Sequence, residues 1–481
     1  MSDPAALDLE LETFLTEELG DSTYLLASGG EALLVDPQRD VWRFIEAARR
    51  RGWRIRRVLE THAHNDYLSG ALEVRAATGA EIVAPGRGGY GFPHRPVDQG
   101  DVVELGDLRL VARATPGHTF EHVAWQVHEG DAAEPTAVFT GGSLLVGSAG
   151  RTDLVGPEAT EALTRSQYRT LQALADLPDD VVVLPTHGSG SFCASNLPDL
   201  GRRTTIGLER ERNAALHAPD ETTFLERQLA ALGRYPAYYA HMGSLNRAGP
   251  PVVGHPPEVE DLGPEAVDRR VAEGAAVVDA RDREAFASRH LPGSLNVELG
   301  DSFSAYVGWL VPFGRPVVLV LPEDAPEAAR EAAVQLFRIG YGTGLGRLAG
   351  GVDAWEASGR RVRTYPTVRM RELHAAWARG ERPRIIDVRQ PAEWAEEGIL
   401  PGSEQVFVGD LPARVGSLAP SPEAWVVCVS GYRAAIGASL LDAAGIPVRL
   451  VAAGGVVGWV DRFRPVASGP TSDPIPGDRS I

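Results

Sequence analysis

Short apolar runs separated by turns dominate the first half of the chain. Thr23-Tyr24-Leu25-Leu26-Ala27, the Gly29-Gly30 pair and Ala32-Leu33-Leu34-Val35-Asp36-Pro37 predict a β-hairpin. Residues 41–50 have helical spacing, and 53–59 predict a strand. More strand-type runs lie at 81–84, 102–105, 108–114, 122–127 and 137–139, with helical stretches at 70–78, 158–174 and 202–216. The mixture predicts a β-rich sandwich flanked by helices over residues 1–250.

A Pro- and Gly-rich seam at 246–264 has the composition of a linker. Beyond it the pattern changes, then repeats. Val277-Val278-Asp279-Ala280-Arg281 and Ile385-Ile386-Asp387-Val388-Arg389 each end an apolar strand. Each copy continues with Leu-Pro-Gly (from Leu291 and from Leu400) and closes with Gly-Gly-Val and a tryptophan, Trp355 or Trp459. Strands alternating with helices predict a small parallel α/β domain present twice, over 264–363 and 366–465, with 466–481 as a tail. The expected fold class is α/β and α+β multidomain.

A length of 481 residues is enough for roughly three domains, and 43% hydrophobic residues supply several cores. A net charge of −18 argues against nucleic-acid or anionic-membrane partners. All 47 basic residues are Arg, which removes lysine Schiff-base chemistry and leaves guanidinium as the strong anion clamp. The acidic N-terminus and the lack of a run of ~18 apolar residues predict neither signal peptide nor membrane span. Two cysteines exclude a disulfide framework and fit a reducing cytoplasm.

Where the 53–59 strand ends, His62, His64 and Asp66 follow at alternate positions. In extended geometry their side chains share one side and can converge. Imidazole with carboxylate suits Zn, Fe or Mn, although one His-x-His alone fits a helix-capping loop equally well. Three further strand ends carry polar residues: Pro116-Gly117-His118, Pro185-Thr186-His187-Gly188 and Thr140-Gly141-Gly142. In the second repeat a strand ends at Cys428, and Val429, Ser430, Gly431 and Tyr432 lead into a helix near Arg433. Successive loop N–H groups at a helix N-terminus form an anion cradle that favours a thiolate. The first repeat has no thiol. Counting from Asp279, its matching position is Val320, followed by acidic Glu323 and Asp324, so this copy is expected to be a spacer or docking domain.

The stretch from Thr61 to Asp66, with the His118 and His187 motifs, resembles the metallo-β-lactamase fold, an αββα sandwich. Gly150-Arg151-Thr152-Asp153-Leu154 narrows the resemblance to its persulfide dioxygenase branch. The repeats resemble rhodanese modules, the first inactive and the second active through Cys428 and Arg433.

The resemblance implies oxidation of a low-molecular-weight thiol persulfide to sulfite at a mononuclear metal, coupled to sulfane-sulfur transfer through Cys428. Fe(II) is the first metal expected, then Zn, with a metal-free form left open. Thiosulfate and sulfite are further small partners, and a homo-oligomer is compatible. His62 and His118 are the implied ligands. The implied carboxylate is replaced by Gly142, which leaves His64, Asp66 and His187 as substitutes. Cys193 is implied to hold or relay sulfur near the metal, and Arg151 and Asp153 to pair or contact substrate. His122 and His290 lack ligand spacing and read as surface or core. Two rivals stand: a sulfurtransferase with a degenerate sandwich module, and a glyoxalase II-type thioester hydrolase, which would need a histidine where Tyr67 stands.

Overall fold

A computed structural model describes residues 7–194, 201–322, 326–456 and 459. Glu323, Asp324 and the tail 466–481 lie outside the described residues. The chain divides into two compact units, Met1–Pro257 with Val334–Gly342, and Glu258–Ala333 with Thr343–Ile481.

In the first unit the expected hairpin forms as Asp21–Ser28 against antiparallel Glu31–Val35. Both faces of these strands are apolar. Tyr24 and Leu26 enter one buried cluster, whereas Leu25 and Ala27 enter another. Side chains alternate across a strand, so such a sheet must be covered on both sides. It has six strands in the order Glu10–Thr16, Asp21–Ser28, Glu31–Val35, Arg54–Leu59, Glu81–Pro85, Arg95–Val97. A second sheet runs Thr204–Thr205, Val182–Pro185, Ala137–Gly141, Val123–Glu129, Leu108–Ala114, Val102–Leu105.

The two sheets share a core containing Leu26, Leu59, Trp125 and Phe139. Helices Trp42–Arg51 and Ala71–Thr78 cover the outside of the first sheet through Phe44 and Val74. Helix Pro157–Ala175 covers the second through Leu171 and Leu174. The αββα sandwich is thus present.

The helix expected over 202–216 is much shorter, Ile206–Arg212. Thr205 caps its start by accepting from the Leu208 N–H. Asn213 ends it in extended backbone, its side-chain amide donating to the carbonyls of Leu145 and Ser148. The polar caps override the helical periodicity.

The second unit holds two five-stranded sheets of parallel neighbours. One runs Glu260–Leu262, Gly346–Leu348, Val317–Val320, Ala276–Asp279, Leu295–Asn296. The other runs Thr367–Arg369, Val448–Ala453, Ala424–Val427, Arg384–Asp387, Glu404–Gln405. Chain order and neighbour order are the same in both, so the sequence repeat is a repeat of topology. The two copies pack as one unit. Each strand-end aspartate chelates the arginine two residues on, Asp279 with Arg281 and Asp387 with fully buried Arg389.

Register corrects one sequence alignment. Asp279 pairs with Val320, and Asp387 pairs with Val427. The residue matching Cys428 is therefore Leu321, buried like Val320. The first copy is one residue longer between these strands, which counting alone cannot reveal.

Candidate functional site

The sandwich gathers its histidines at the strand ends. Asp36, at the end of Glu31–Val35, takes a left-handed backbone (φ 50) that turns its carboxylate inward. It accepts from Thr61 N–H and Thr61 Oγ1, each at 2.7 Å, and from Thr186 Oγ1. One buried carboxylate thereby pins the loops bearing His62 and His187. The Thr61 hydroxyl donates to Asp36, so at 2.8 Å it accepts the Nδ1 proton of His62 and leaves Nε2 with its lone pair.

His118 is fixed the same way, Nδ1–H donating to the Arg151 carbonyl at 2.6 Å. Its Nε2 is buried and has no hydrogen-bond partner among the described residues. His187 directs Nδ1 to Asp21 Oδ1 at 2.8 Å, and its Nε2 lies 3.4 Å from His62 Nε2. His62, His64, His118, His187 and Asp66 are all fully buried. Neither ring nitrogen of His64 and neither carboxylate oxygen of Asp66 has a hydrogen-bond partner among the described residues, but Asp66 Oδ2 lies 3.1 Å from His187 Nδ1 and His64 Nε2 3.3 Å from Asp36 Oδ1.

Burial, then the neighbouring imidazoles, hold His62 and His118 well below the ordinary histidine range. Burial opposes charge on His187 too, yet Asp66 and Asp21 beside it raise it well above that range. The negative charge that would retain a proton there would equally retain a cation.

Donor atoms close enough to share an ion form four groups: His62, His64 and His187; His118, His187 and Cys193; Asp21, Asp66 and His187; Asp36, Glu60 and His64. His187 belongs to three of them. His62 and His118, paired by resemblance, approach ring to ring at 4.8 Å but share no group. In His62, His118 and His187, Nε2 turned inward with Nδ1 already hydrogen-bonded is what metal-ligating histidines require. The residues present therefore fit a bound metal.

Gly142 is more than a missing carboxylate. A Cβ there would stand 2.4 Å from His118 Cδ2 and 2.8 Å from its Nε2, so the His118 ring occupies that space. The Gly142 N–H donates to His122 Nε2 at 3.0 Å, while His122 Nδ1 bonds Thr115 Oγ1 at 2.7 Å. His122 also stacks on His62 with centroids 4.9 Å apart. His122 lacks ligand spacing in the sequence because its role is support of His62 and Gly142, which spacing does not reveal. Tyr67, in place of a histidine, lies flat on His64 at 4.4 Å and donates to the Asp36 carbonyl. Beside His62 and His64 is a cavity of about 10 Å³, also lined by Glu60, Tyr90 and Asn246, room for about one water.

Arg151 and Asp153 form the expected pair, bidentate at 2.7 and 2.8 Å. Arg151 also holds the loop carrying Cys193: its N–H donates to the Cys193 carbonyl at 2.9 Å and its Nη1 to the Phe192 carbonyl at 2.9 Å. Cys193 is fully buried, and burial pushes its thiol upward, with Asp66 and Asp21 adding to the effect.

In the second unit, Cys428 follows strand Ala424–Val427 and precedes helix Tyr432–Ala443. The Gly431 N–H donates to its Sγ at 3.1 Å. Gly431 has φ 103, and a Cβ there would meet the Ala452 carbonyl oxygen at 2.1 Å, so only glycine permits this loop. The N–H groups of Tyr432, Arg433 and Ala434 open the helix and have no intrahelical acceptor. The residue is 1% exposed, and among the described residues the N–H groups of Tyr432, Arg433 and Ala434 donate to no backbone carbonyl outside the helix. Arg433 is less free than expected. Glu393 takes both its Nη groups and, against burial, raises its pKa.

The copy without a thiol is more than a spacer. The Tyr432 hydroxyl donates to the Glu298 carbonyl at 3.2 Å, and Trp309 meets Phe407 edge-on at 4.9 Å. His290 and Arg363 converge on Asp442 near the far end of the Cys428 helix. His290, expected to be surface or core, is therefore an inter-copy contact.

Residues 17–187 match the Metallo-beta-lactamase superfamily, and residues 263–358 and 371–462 match the Rhodanese-like domain. The hydroxyacylglutathione hydrolase of Polaromonas sp. (strain JS666 / ATCC BAA-500) is 35% identical over 198 residues, 40% of this chain and 68% of that protein. Its counterpart from Methylobacillus flagellatus is 31% identical over 207 residues, 43% of this chain and 74% of that protein. A crystal structure of a metallo-beta-lactamase from Staphylococcus aureus subsp. aureus COL is 26% identical, covers 70% of this chain and 98% of its own, and has a TM-score of 0.64. A sandwich with an inward-facing donor cluster, joined to a thiol cradle, is the equipment of a metal-dependent, sulfur-related enzyme. The chain belongs to the metallo-beta-lactamase superfamily and carries two rhodanese-like domains behind that fold.

Proposed function

We propose that this protein is a sulfane-sulfur transferase whose nucleophile is Cys428. The observation that carries the reading is the Gly431 N–H on Cys428 Sγ at 3.1 Å, at the mouth of a 12-residue helix. A peptide donor and the positive end of a helix both favour thiolate over thiol.

The Cys428 thiolate attacks the outer sulfur of thiosulfate. A new S–S bond forms, the sulfur–sulfonate bond breaks, and sulfite leaves with the electron pair. The added sulfur stands about 2 Å beyond Sγ, where the first-turn amides of the helix can meet its charge. A thiolate or cyanide then attacks that terminal sulfur and Cys428 departs as thiolate, so no external oxidant is needed. Incubated with thiosulfate and cyanide, the full chain should produce thiocyanate and carry one extra sulfur on Cys428. Thiocyanate formation that survives Cys428→Ser overturns the reading.

The inward Nε2 of His118, without a hydrogen-bond partner among the described residues, favours a second reading, oxidation of a thiol persulfide in the sandwich unit. One persulfide, one O₂ and one water would give thiol, sulfite and two protons. A metal held by the histidine cluster would supply Lewis-acid and, if iron, redox chemistry. The cavity beside His62 and His64 is about 10 Å³, room for about one water, which ranks this reading second. Oxygen uptake with glutathione persulfide, lost in His118→Ala while thiocyanate formation persists, would support it. The relatives' name suggests thioester hydrolysis, but Tyr67 stacked on His64 fills the position where a two-metal site would need a histidine.

A further inference from the structure

The sandwich has lost the carboxylate expected at position 142, and the geometry points to a replacement. We infer that Cys193, with His118 and His187, forms a metal site in which a thiolate stands in for the absent carboxylate. The inference concerns the sandwich unit and does not depend on sulfur transfer at Cys428.

Four observations carry it. First, ligand atoms of His118, His187 and Cys193 lie within 4.8 Å of one another, and all three residues are fully buried. Second, both imidazoles are set for metal through Nε2. His118 gives its Nδ1 proton to the Arg151 carbonyl at 2.6 Å, and His187 directs Nδ1 to Asp21 at 2.8 Å. A second partner of this kind fixes the tautomer and aims the ring. Third, His118 Nε2 is buried without a hydrogen-bond partner among the described residues, a desolvation cost that a bound ion would offset. Fourth, one residue builds the site from both sides. The Arg151 carbonyl accepts from His118 Nδ1, and the Arg151 N–H donates to the Cys193 carbonyl at 2.9 Å. The close approach of Gly150 to the Gly142 carbonyl makes this possible, since a Cβ on Gly150 would stand 1.8 Å from that oxygen.

The same packing explains why an aspartate at 142 is not the third ligand: the His118 ring stands where its Cβ would be. Two imidazoles and a thiolate form a softer set than two imidazoles and a carboxylate. Such a set favours zinc or cobalt over magnesium or manganese, and three protein ligands leave a coordination position open.

The test uses the intact chain and cobalt(II) as the probe metal, read without turnover. Cobalt-loaded protein should show a thiolate-to-cobalt charge-transfer band in the near ultraviolet. Cys193→Ser should abolish that band and weaken zinc binding by more than about 100-fold, beyond the loss typical of changing a residue that only hydrogen-bonds to a ligand. Cys428→Ser should leave the band intact. Absence of the band from the parent protein, or its disappearance in Cys428→Ser alone, overturns the inference; the parent spectrum decides even if a variant misfolds. Failure of sulfur transfer would instead appear as loss of thiocyanate production with the cobalt spectrum unchanged.

Discussion

Arg283, in the copy without a thiol, donates through Nη1 to the carbonyl oxygen of Ser430 at 2.9 Å. That carbonyl belongs to the peptide whose N–H, on Gly431, points at Cys428 Sγ. The guanidinium is held by Glu298, which accepts from its Nη2 at 2.8 Å and from the Arg283 backbone N–H at 2.7 Å. Charge on the carbonyl side polarises the peptide and strengthens the bond on the N–H side. It also keeps this peptide from turning its oxygen toward the thiolate.

Arg283→Gln should therefore slow alkylation of Cys428 by iodoacetamide at neutral pH by roughly 10-fold, about 1.4 kcal/mol. The sign follows from losing a group that strengthens the peptide donor on the sulfur. Arg433 with Glu393, Tyr306 and Tyr432 are unchanged in this variant, and Arg283→Lys should recover part of the rate. An unchanged rate, read by mass spectrometry at Cys428, would reduce Arg283 to an inter-copy contact.

Gly431→Ala tests the cradle from inside. The new methyl would meet the Ala452 carbonyl at 2.1 Å, and φ 103 disfavours any L side chain. Relief requires the loop to move, taking the N–H away from Sγ. Thiocyanate formation should fall by about 10-fold or more, matching strain of roughly 1–3 kcal/mol, while metal content of the sandwich unit stays at the parent level.

Much of this was legible in the chain, for identifiable reasons. Period-two runs such as 23–27 and the duplicated Asp-x-Arg strand ends fix sheets and repeat because they depend on neighbours in sequence. The convergence of His62, His64, His118 and His187 was likewise readable from strand-end spacing. Supports were not. His122 acts through Gly142 and Thr115, and Arg283 acts through a loop more than a hundred residues away. Matching Cys428 to Val320 failed because strand register, which gives Leu321, follows main-chain pairing and not residue count.

Gly142→Asp would restore the carboxylate expected from the resemblance, and it should not restore function. Its Cβ would enter the His118 ring, displacing Nε2 from the cluster. The expected result is a loss of about 1–3 kcal/mol in stability from overpacking, with zinc affinity reduced. Thermal melts and metal titration check both, and tighter zinc binding would show that His118 yields readily.

The last prediction concerns acid. Burial lowers His122 from 6.5 to about 3 in the folded protein, despite the favourable field of Asp36. Its Nε2 accepts the Gly142 N–H, a bond that protonation destroys. Between these two values the unfolded chain binds a proton that the folded chain refuses. Stability is therefore complete above about pH 6.5 and declines as pH falls toward 3, by up to ~1.4 kcal/mol per pH unit for this residue. His62 and His118, also depressed, steepen the same decline. In metal-free protein, His122→Gln can keep the acceptor for Gly142 without titrating. Urea melts between about pH 4 and 6 should then show a slope shallower by close to one proton; an equal slope would mean that His122 is released before it titrates.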